Sequence, residues 1–192
     1  MHKIIVVGLG ILLMSAPCNL FAVATDSLYK LDFPKIDQAS YARVTLTESG
    51  GKLIEVKLPE DGPAGDEPPA HLEDFNFDGY PDLAVFRNAG NVQIFYDVYL
   101  FDPSRQKFIL NKKLSSMPCV EAQLATKTVF SSCNHGSACE NWTETYSWSE
   151  NKLTLIAREG TKCSSKEGCY YEYSEGLKNN KFGTIKSKLI CE

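Results

Sequence analysis

The chain has 192 residues, and its content of 43% hydrophobic and 23% charged residues excludes a disordered protein. A formal net charge of −4 argues against a nucleic-acid or anionic-membrane partner, because such partners are bound through basic patches. The length suits one domain with a sizeable apolar core.

The first 24 residues predict a secretory signal peptide. Lys3 precedes an apolar run over residues 4–14, and Ala22–Ala24 supplies the small residues of a cleavage site. The apolar run is shorter than the ~20 residues that a membrane helix requires, and no later segment approaches that length. The sequence therefore predicts an exported chain of residues 25–192, periplasmic or secreted, without a membrane span.

Cys18 offers a lipoprotein anchor as an alternative, which the adjacent Pro17 disfavours. Cleavage after Ala24 takes Lys3 from the 20 basic residues and none of the 24 acidic ones, which leaves a formal net charge of −5. The exported chain is therefore expected to be mildly acidic.

Alternating apolar residues predict the first hairpin. The segments Tyr41–Thr47 and Leu53–Leu58 follow a period of two and flank a turn with two glycines. Pro59 ends the second segment, and the proline-rich, acidic residues 60–70 predict a surface loop.

The next segment, residues 74–82, predicts a calcium-binding loop. Oxygen-bearing side chains occupy relative positions 1, 3, 5 and 9 around a glycine at position 6, so a curled loop would turn its oxygens toward one point. Carboxylates this close together repel one another unless a cation neutralises them. The predicted Ca²⁺ ligands are the side chains of Asp74, Asn76, Asp78 and Asp82 and the carbonyl of Tyr80. An Asx-rich turn without metal is the alternative interpretation.

Two features separate this loop from an EF-hand. Val85 stands at the twelfth position, where a bidentate glutamate is required, and Leu83–Phe86 continues as a strand and not as a helix. The pattern therefore favours a calcium loop between two strands.

Further hairpins follow along the chain. The paired segments are Val92–Phe101 with Lys107–Leu110, Thr143–Trp148 with Lys152–Ala157, and Cys169–Tyr173 with Thr184–Ile190. Since no long helical period competes, the predicted fold class is all-β: a single domain of antiparallel hairpins, propeller-like or an open barrel.

Six cysteines remain after cleavage, and their even number in an exported chain predicts three disulfides. They are Cys119, Cys133, Cys139, Cys163, Cys169 and Cys191. The favoured pairs are Cys133–Cys139 and Cys163–Cys169, because each would close a short polar loop, which leaves Cys119 with Cys191. The main competing pair is Cys119–Cys133.

Catalytic motifs are missing from the sequence, and we expect the protein not to be an enzyme. Neither a GxSxG elbow nor an HExxH zinc motif occurs. His135 and Ser137 stand two residues apart in a predicted loop, which is a poor arrangement for a base and its nucleophile.

A family resemblance rests on Asp74–Ala84 followed by Tyr96–Asp102. An exported β-protein with this motif resembles the Xanthomonas-type periplasmic immunity proteins, which neutralise lysozyme-like effectors, and its loop is similar to those of FG-GAP repeats. The resemblance extends over about residues 41–156. It implies a calcium-bound, propeller-like fold, a function as an inhibitor of peptidoglycan-cleaving enzymes, and a lysozyme-like muramidase as the partner.

Such an inhibitor would press a rigid loop into the substrate cleft of the muramidase. The predicted contacts are polar residues of two turns: Asn88, Asn91, Asn134, His135 and Ser137. The alternative function is a calcium-stabilised module that binds an envelope glycan or protein without inhibition, through Tyr170, Tyr171 and Tyr173.

Overall fold

A computed structural model describes residues 28–63, 67–178 and 181–191. The predicted signal peptide and the lipoprotein alternative at Cys18 lie outside the described residues. Within these ranges, no helix has the length and apolar character needed to span a membrane.

The described residues form fourteen strands and one helical turn. In chain order these are β1 (Tyr29–Asp32), β2 (Lys35–Ile36), β3 (Ala39–Leu46), β4 (Gly51–Lys57), β5 (Ala70–Glu73), β6 (Asp82–Ala89), β7 (Ile94–Asp102), β8 (Lys107–Leu110), α1 (Lys112–Ser115), β9 (Val120–Gln123), β10 (Thr128–Ser137), β11 (Glu140–Ser149), β12 (Lys152–Cys163), β13 (Cys169–Lys178) and β14 (Lys181–Cys191).

The strands form three antiparallel sheets. In the first sheet, β1 and β2 pair with one side of β3, and β4 pairs with the other. The second sheet has the order β5-β6-β7-β8, and the third runs from β9 to β14 in chain order. The predicted all-β class, built from antiparallel hairpins, is confirmed.

The second sheet lies between the other two, so we call it the central sheet. Leu83 and Val85 of β6 belong to a buried cluster that includes Val44 of the first sheet. Ala84 and Phe86, on the opposite face of β6, belong to a second cluster with Val129, Tyr146 and other residues of the third sheet. Burial on both faces explains why Leu83–Phe86 is a continuous apolar run and does not alternate with polar residues.

The four predicted hairpins correspond to β3–β4, β7–β8, β11–β12 and β13–β14. Five strands, β1, β2, β5, β9 and β10, and the turn α1 were not predicted from the sequence. Asn111 begins α1, since its side-chain oxygen accepts hydrogen bonds from the backbone N–H groups of Lys113 and Leu114 at 3.1 and 3.0 Å. Leu114 is fully buried in the cluster between the central and third sheets.

The favoured disulfide pairs are wrong, and the competing pair is right. The bridges are Cys119–Cys133, Cys139–Cys163 and Cys169–Cys191. Residues 134–137 continue β10 and pair with β11, so the predicted Cys133–Cys139 loop does not exist. Each bridge instead joins two neighbouring strands of the third sheet, with Cys133 inside β10 and the other cysteines at or next to strand ends, which excludes the Cys163–Cys169 and Cys119–Cys191 pairs.

Candidate functional site

The predicted calcium loop connects β5 to β6 at one end of the central sheet. Glu73 and Asp82 pair across the two strands directly beneath it. Phe75 is fully buried, and its carbonyl accepts a hydrogen bond of 2.7 Å from the indole of Trp148 in the third sheet. Phe77 and Gly79 adopt positive φ angles of 60° and 89°, which curl the chain tightly between these anchors.

Asp82 fastens the loop to the sheet. Its side chain is fully buried, and its two carboxylate oxygens accept hydrogen bonds from the backbone N–H groups of Phe75 at 2.9 Å and Phe101 at 2.8 Å. Burial raises the pKa of Asp82 to about 7, although the two N–H donors act in the opposite direction. Both oxygens are therefore already engaged by the backbone.

Three other predicted ligands lie together within the curl. Asp74 accepts hydrogen bonds from the backbone N–H groups of Asp78 at 3.2 Å and Gly79 at 2.9 Å. The Asn76 amide donates to Asp78 at 2.8 Å, and Asp78 accepts from the N–H of Tyr80 at 2.9 Å. Burial, helped by the neighbouring charge of Asp78, raises the pKa of Asp74 above its ordinary value.

The side chains of the loop meet the requirements of a cation-binding site only in part. Within the described ranges, no group of three or more histidine, cysteine or acidic side chains is arranged to hold a metal ion. The Asx hydrogen bonds hold the curl by themselves, yet Asp74, Asn76 and Asp78 keep oxygen lone pairs that a cation can use. Calcium ligation by these side chains, by Asp82 and by the Tyr80 carbonyl stays a prediction.

The predicted partner contacts lie at the opposite end of the central sheet. Asn88 and Asn91 are exposed at the β6–β7 turn. The N–H of Cys119 donates to the carbonyl of Ile94 at 2.7 Å, which brings the Cys119–Cys133 bridge beside the start of β7. A groove of about 390 Å³ lies here, lined by Glu67, Pro68, His71, Ile94, Tyr96, Cys119, Val120, Glu121, Ser132 and Cys133.

The remaining predicted contacts follow Cys133 on β10. The amide of Asn134 donates to the carbonyl of Ser131 at 2.8 Å, so it is held in place by its own strand. His135 is exposed, whereas the hydroxyl of Ser137 contacts the sulfur of Cys163 at 3.4 Å. Among Asn134, His135 and Ser137, His135 is the residue whose side chain is exposed and accessible to a partner.

The third sheet contains a charged network that was not predicted from the sequence. Arg158 donates to Glu144 through Nε at 3.0 Å and Nη2 at 2.7 Å, and to Glu175 through Nη1 at 3.1 Å. The hydroxyl of Tyr146 donates to Glu144 at 2.6 Å. The alternation of Trp142, Glu144, Tyr146 and Trp148 was a sequence signal that one face of β11 carries these side chains together.

Opposing effects act on the pKa of Glu144. Burial raises the pKa, but the hydrogen bond from Tyr146 and the interactions with Arg158 outweigh burial and hold it below its ordinary value. Burial and the bond to Glu144 both raise the pKa of the Tyr146 hydroxyl. Glu144 is therefore a carboxylate whose charge is stabilised within the fold.

Comparison with known proteins shows that the chain shares its fold with a protein of solved structure. Neither the family models nor the curated proteins give a match to this chain. Among solved structures, the chain is similar to a Xanthomonas Type IV secretion system related protein, with a TM-score of 0.56 and 20% sequence identity. The similarity covers 82% of this chain and 85% of that one. At this level of identity the comparison establishes a shared fold.

Proposed function

We propose that the protein is an exported inhibitor of a lysozyme-like, peptidoglycan-cleaving muramidase and acts as an immunity protein. The observation that carries the proposal is the fold shared with the Xanthomonas Type IV secretion system related protein over 82% of the chain. The motif at Asp74–Ala84 adds a sequence resemblance to periplasmic immunity proteins. The three disulfides indicate an extracytoplasmic protein, which is the compartment where a muramidase meets its substrate.

The surface proposed to meet the muramidase is the end of the molecule that carries the predicted contacts. His135 is exposed there, and the Cys119–Cys133 bridge lines the neighbouring groove. A muramidase cleaves its glycan with a pair of carboxyl groups, to which imidazole and amide groups can donate hydrogen bonds. The Cys119–Cys133 bridge already fixes the part of β10 that carries His135. This segment therefore loses little conformational entropy on binding, which favours a tight complex.

Calcium has a separate role in this proposal. The loop that Asp74, Asn76 and Asp78 form lies at the other end of the central sheet, so a bound ion would stabilise the fold and would not touch the partner. An ion that binds only the folded state raises stability by mass action. The predicted consequence is that chelation lowers thermal stability but leaves the inhibitory surface in place at low temperature.

The experiment is a peptidoglycan-lysis assay with a panel of muramidases at increasing concentrations of the purified chain. We expect stoichiometric inhibition of at least one muramidase, and a loss of at least tenfold in affinity for His135→Ala. Lys152→Ala is the matched control, since Lys152 is exposed on the same sheet at its other end. Full lysis with every enzyme of the panel would contradict inhibition, and lysis by the chain alone would identify an enzyme.

A further inference from the structure

The third sheet extends past the core on the side away from the calcium loop. Tyr146 of β11 belongs to the buried cluster between the central and third sheets, and Trp148 packs against that cluster. Trp142 lies nearer the start of β11 and is not among the described residues of the cluster. We use the term distal end for residues 133–142, 160–173 and 187–191, which form this extension. One cysteine of the Cys119–Cys133 bridge lies in it, and the Cys139–Cys163 and Cys169–Cys191 bridges lie wholly within it.

One face of the distal end carries aromatic rings around a gap. Trp142, Gly160 and Tyr173 pair in register across β11, β12 and β13, and Tyr171 follows on the same face of β13. A Cβ atom added at Gly160 would lie 2.1 Å from the carbonyl oxygen of Asn141 and 2.7 Å from Trp142, so a side chain does not fit there. The backbone of β11 approaches Gly160 closely, so this position contributes no side chain between Trp142 and Tyr173, and we call the space between these two rings the slot.

The slot is a shallow cavity of about 270 Å³. Its lining comes from three strands, β11, β12 and β13, and is mostly polar or aromatic: Glu140, Trp142, Arg158, Thr161, Lys162, Tyr173 and Glu175. This volume is near the lower limit for small-ligand clefts, which is about 300 Å³. The cavity therefore suits one ring-sized unit of a longer ligand.

The charged groups around the slot nearly balance. Arg158 is fixed between Glu144 and Glu175 by hydrogen bonds. The amino group of Lys162 lies 5.8 Å from the ring centre of Tyr171 and 5.7 Å from that of Tyr173. The face thus offers hydrogen-bond donors and acceptors of both signs, held in place between aromatic surfaces.

We infer that this face binds the glycan strand of peptidoglycan, a neutral polymer of N-acetylated hexosamines. Sugar rings present an apolar C–H surface to an aromatic ring and a rim of hydroxyl and acetamido groups to charged side chains, which matches the two kinds of group around the slot. The near balance of charge gives a polyanion no electrostatic attraction. Charges at the centre of the face are also unlike a protein interface, whose core is depleted of them.

This inference goes beyond the proposed inhibition and does not require it. The Cys139–Cys163 and Cys169–Cys191 bridges join β11 to β12 and β13 to β14 beside the slot, so the rings are held in position before a ligand arrives. Glycan binding at the distal end would keep the protein on the polymer that a muramidase attacks.

The test measures binding of the full exported chain to a β-1,4-linked N-acetylglucosamine tetramer by titration calorimetry, and to insoluble peptidoglycan by co-sedimentation. We expect Tyr173→Ala to weaken tetramer binding at least tenfold and Tyr173→Phe, which keeps the ring, to bind within about threefold of the wild type. Tyr170→Ala is the matched control, because adjacent residues of a strand face opposite sides and Tyr170 therefore points away from the slot. The melting temperature of each variant checks that it has folded.

The inference is overturned if the wild-type chain binds neither the tetramer nor peptidoglycan, or if Tyr170→Ala and Tyr173→Ala lose binding equally. It is also overturned if Tyr173→Ala keeps glycan binding but loses muramidase inhibition, since the face would then be a protein interface. Inhibition is scored in parallel on a soluble substrate, so that failure of the proposed function and failure of glycan binding give different results.

Discussion

In the central sheet, β6 is covered on both faces: Leu83 and Val85 are buried against the first sheet, and Ala84 and Phe86 against the third. At the distal end of the third sheet, positions 187–189 of β14 are all exposed. None of the three disulfides has a cysteine in a strand of the central sheet, whereas each has a cysteine in the distal end. The contrast shows that apolar burial holds the strands together where two sheets cover a third, and covalent links replace it where the sheet projects beyond its neighbours.

The largest effect is expected from removing apolar burial in the central sheet. Phe86→Ala deletes a ring that is 3% exposed and should lower the free energy of unfolding by about 3–5 kcal/mol. Denaturant unfolding measures the change. Phe33→Ala is the control, since Phe33 is 42% exposed. Similar losses in both variants would mean that the central sheet is not the core.

The second-largest effect is expected from removing a disulfide at the distal end. Replacing Cys169 and Cys191 together by serine removes a bridge between residues 22 apart and should cost about 2–4 kcal/mol. Hydrogen exchange should show faster exchange in β13 and β14 with protection of β6 unchanged. Uniformly faster exchange across the three sheets would contradict separate stabilisation of the two regions.

Calcium should stabilise the fold through the loop between β5 and β6 of the central sheet. At a concentration of one hundred times the dissociation constant, a bound ion adds about 2.7 kcal/mol, so calcium should raise the melting temperature and a chelator should reverse the change. Asp78→Asn should remove the response. Asp102→Asn is the control, because Asp102 forms a similar Asx turn with Ser104, at 3.0 Å, outside the loop. A melt insensitive to calcium, with no metal in the purified protein, would argue for the metal-free Asx turn.

The smallest effect concerns pH and the charged network. Because the pKa of Glu144 is lowered in the folded protein, its contribution is fully present above the unfolded value of about 4.3 and is lost as the pH falls through the lower folded value. Glu144→Gln should therefore cost about 1 kcal/mol at pH 7 and less at pH 3. Urea unfolding at the two pH values measures the difference, with the exposed Glu167→Gln as control. An equal cost of Glu144→Gln at pH 7 and pH 3 would exclude a role for the charge of Glu144 in stability.

Prediction from sequence succeeded for strands with period-two alternation or a continuous apolar run. Residues 41–47 and 53–58 alternate, and they became β3 and β4 almost unchanged. The strand β10 was missed because its last seven residues, Ser131–Ser137, contain no large apolar residue. Mistaking the end of this segment for a loop led directly to the wrong Cys133–Cys139 pair.

For the candidate site, the spacing of Asp74, Asn76 and Asp78 predicted that their side chains would lie together, and the loop geometry agrees. The engagement of Asp82 by the N–H of Phe101 was not predictable, since the two residues are 19 positions apart and meet only when β6 pairs with β7. The slot between Trp142 and Tyr173 likewise depends on pairing across β12.

The sequence by itself determined the all-β class, the four hairpins and the presence of three disulfides, because these follow from local alternation, turn residues and an even number of cysteines in an exported chain. Tertiary structure alone decided which cysteines pair, where Asp82 directs its carboxylate and which aromatic rings share a face. Those features depend on the register between strands, and register is set by how the sheets bury their apolar faces against one another.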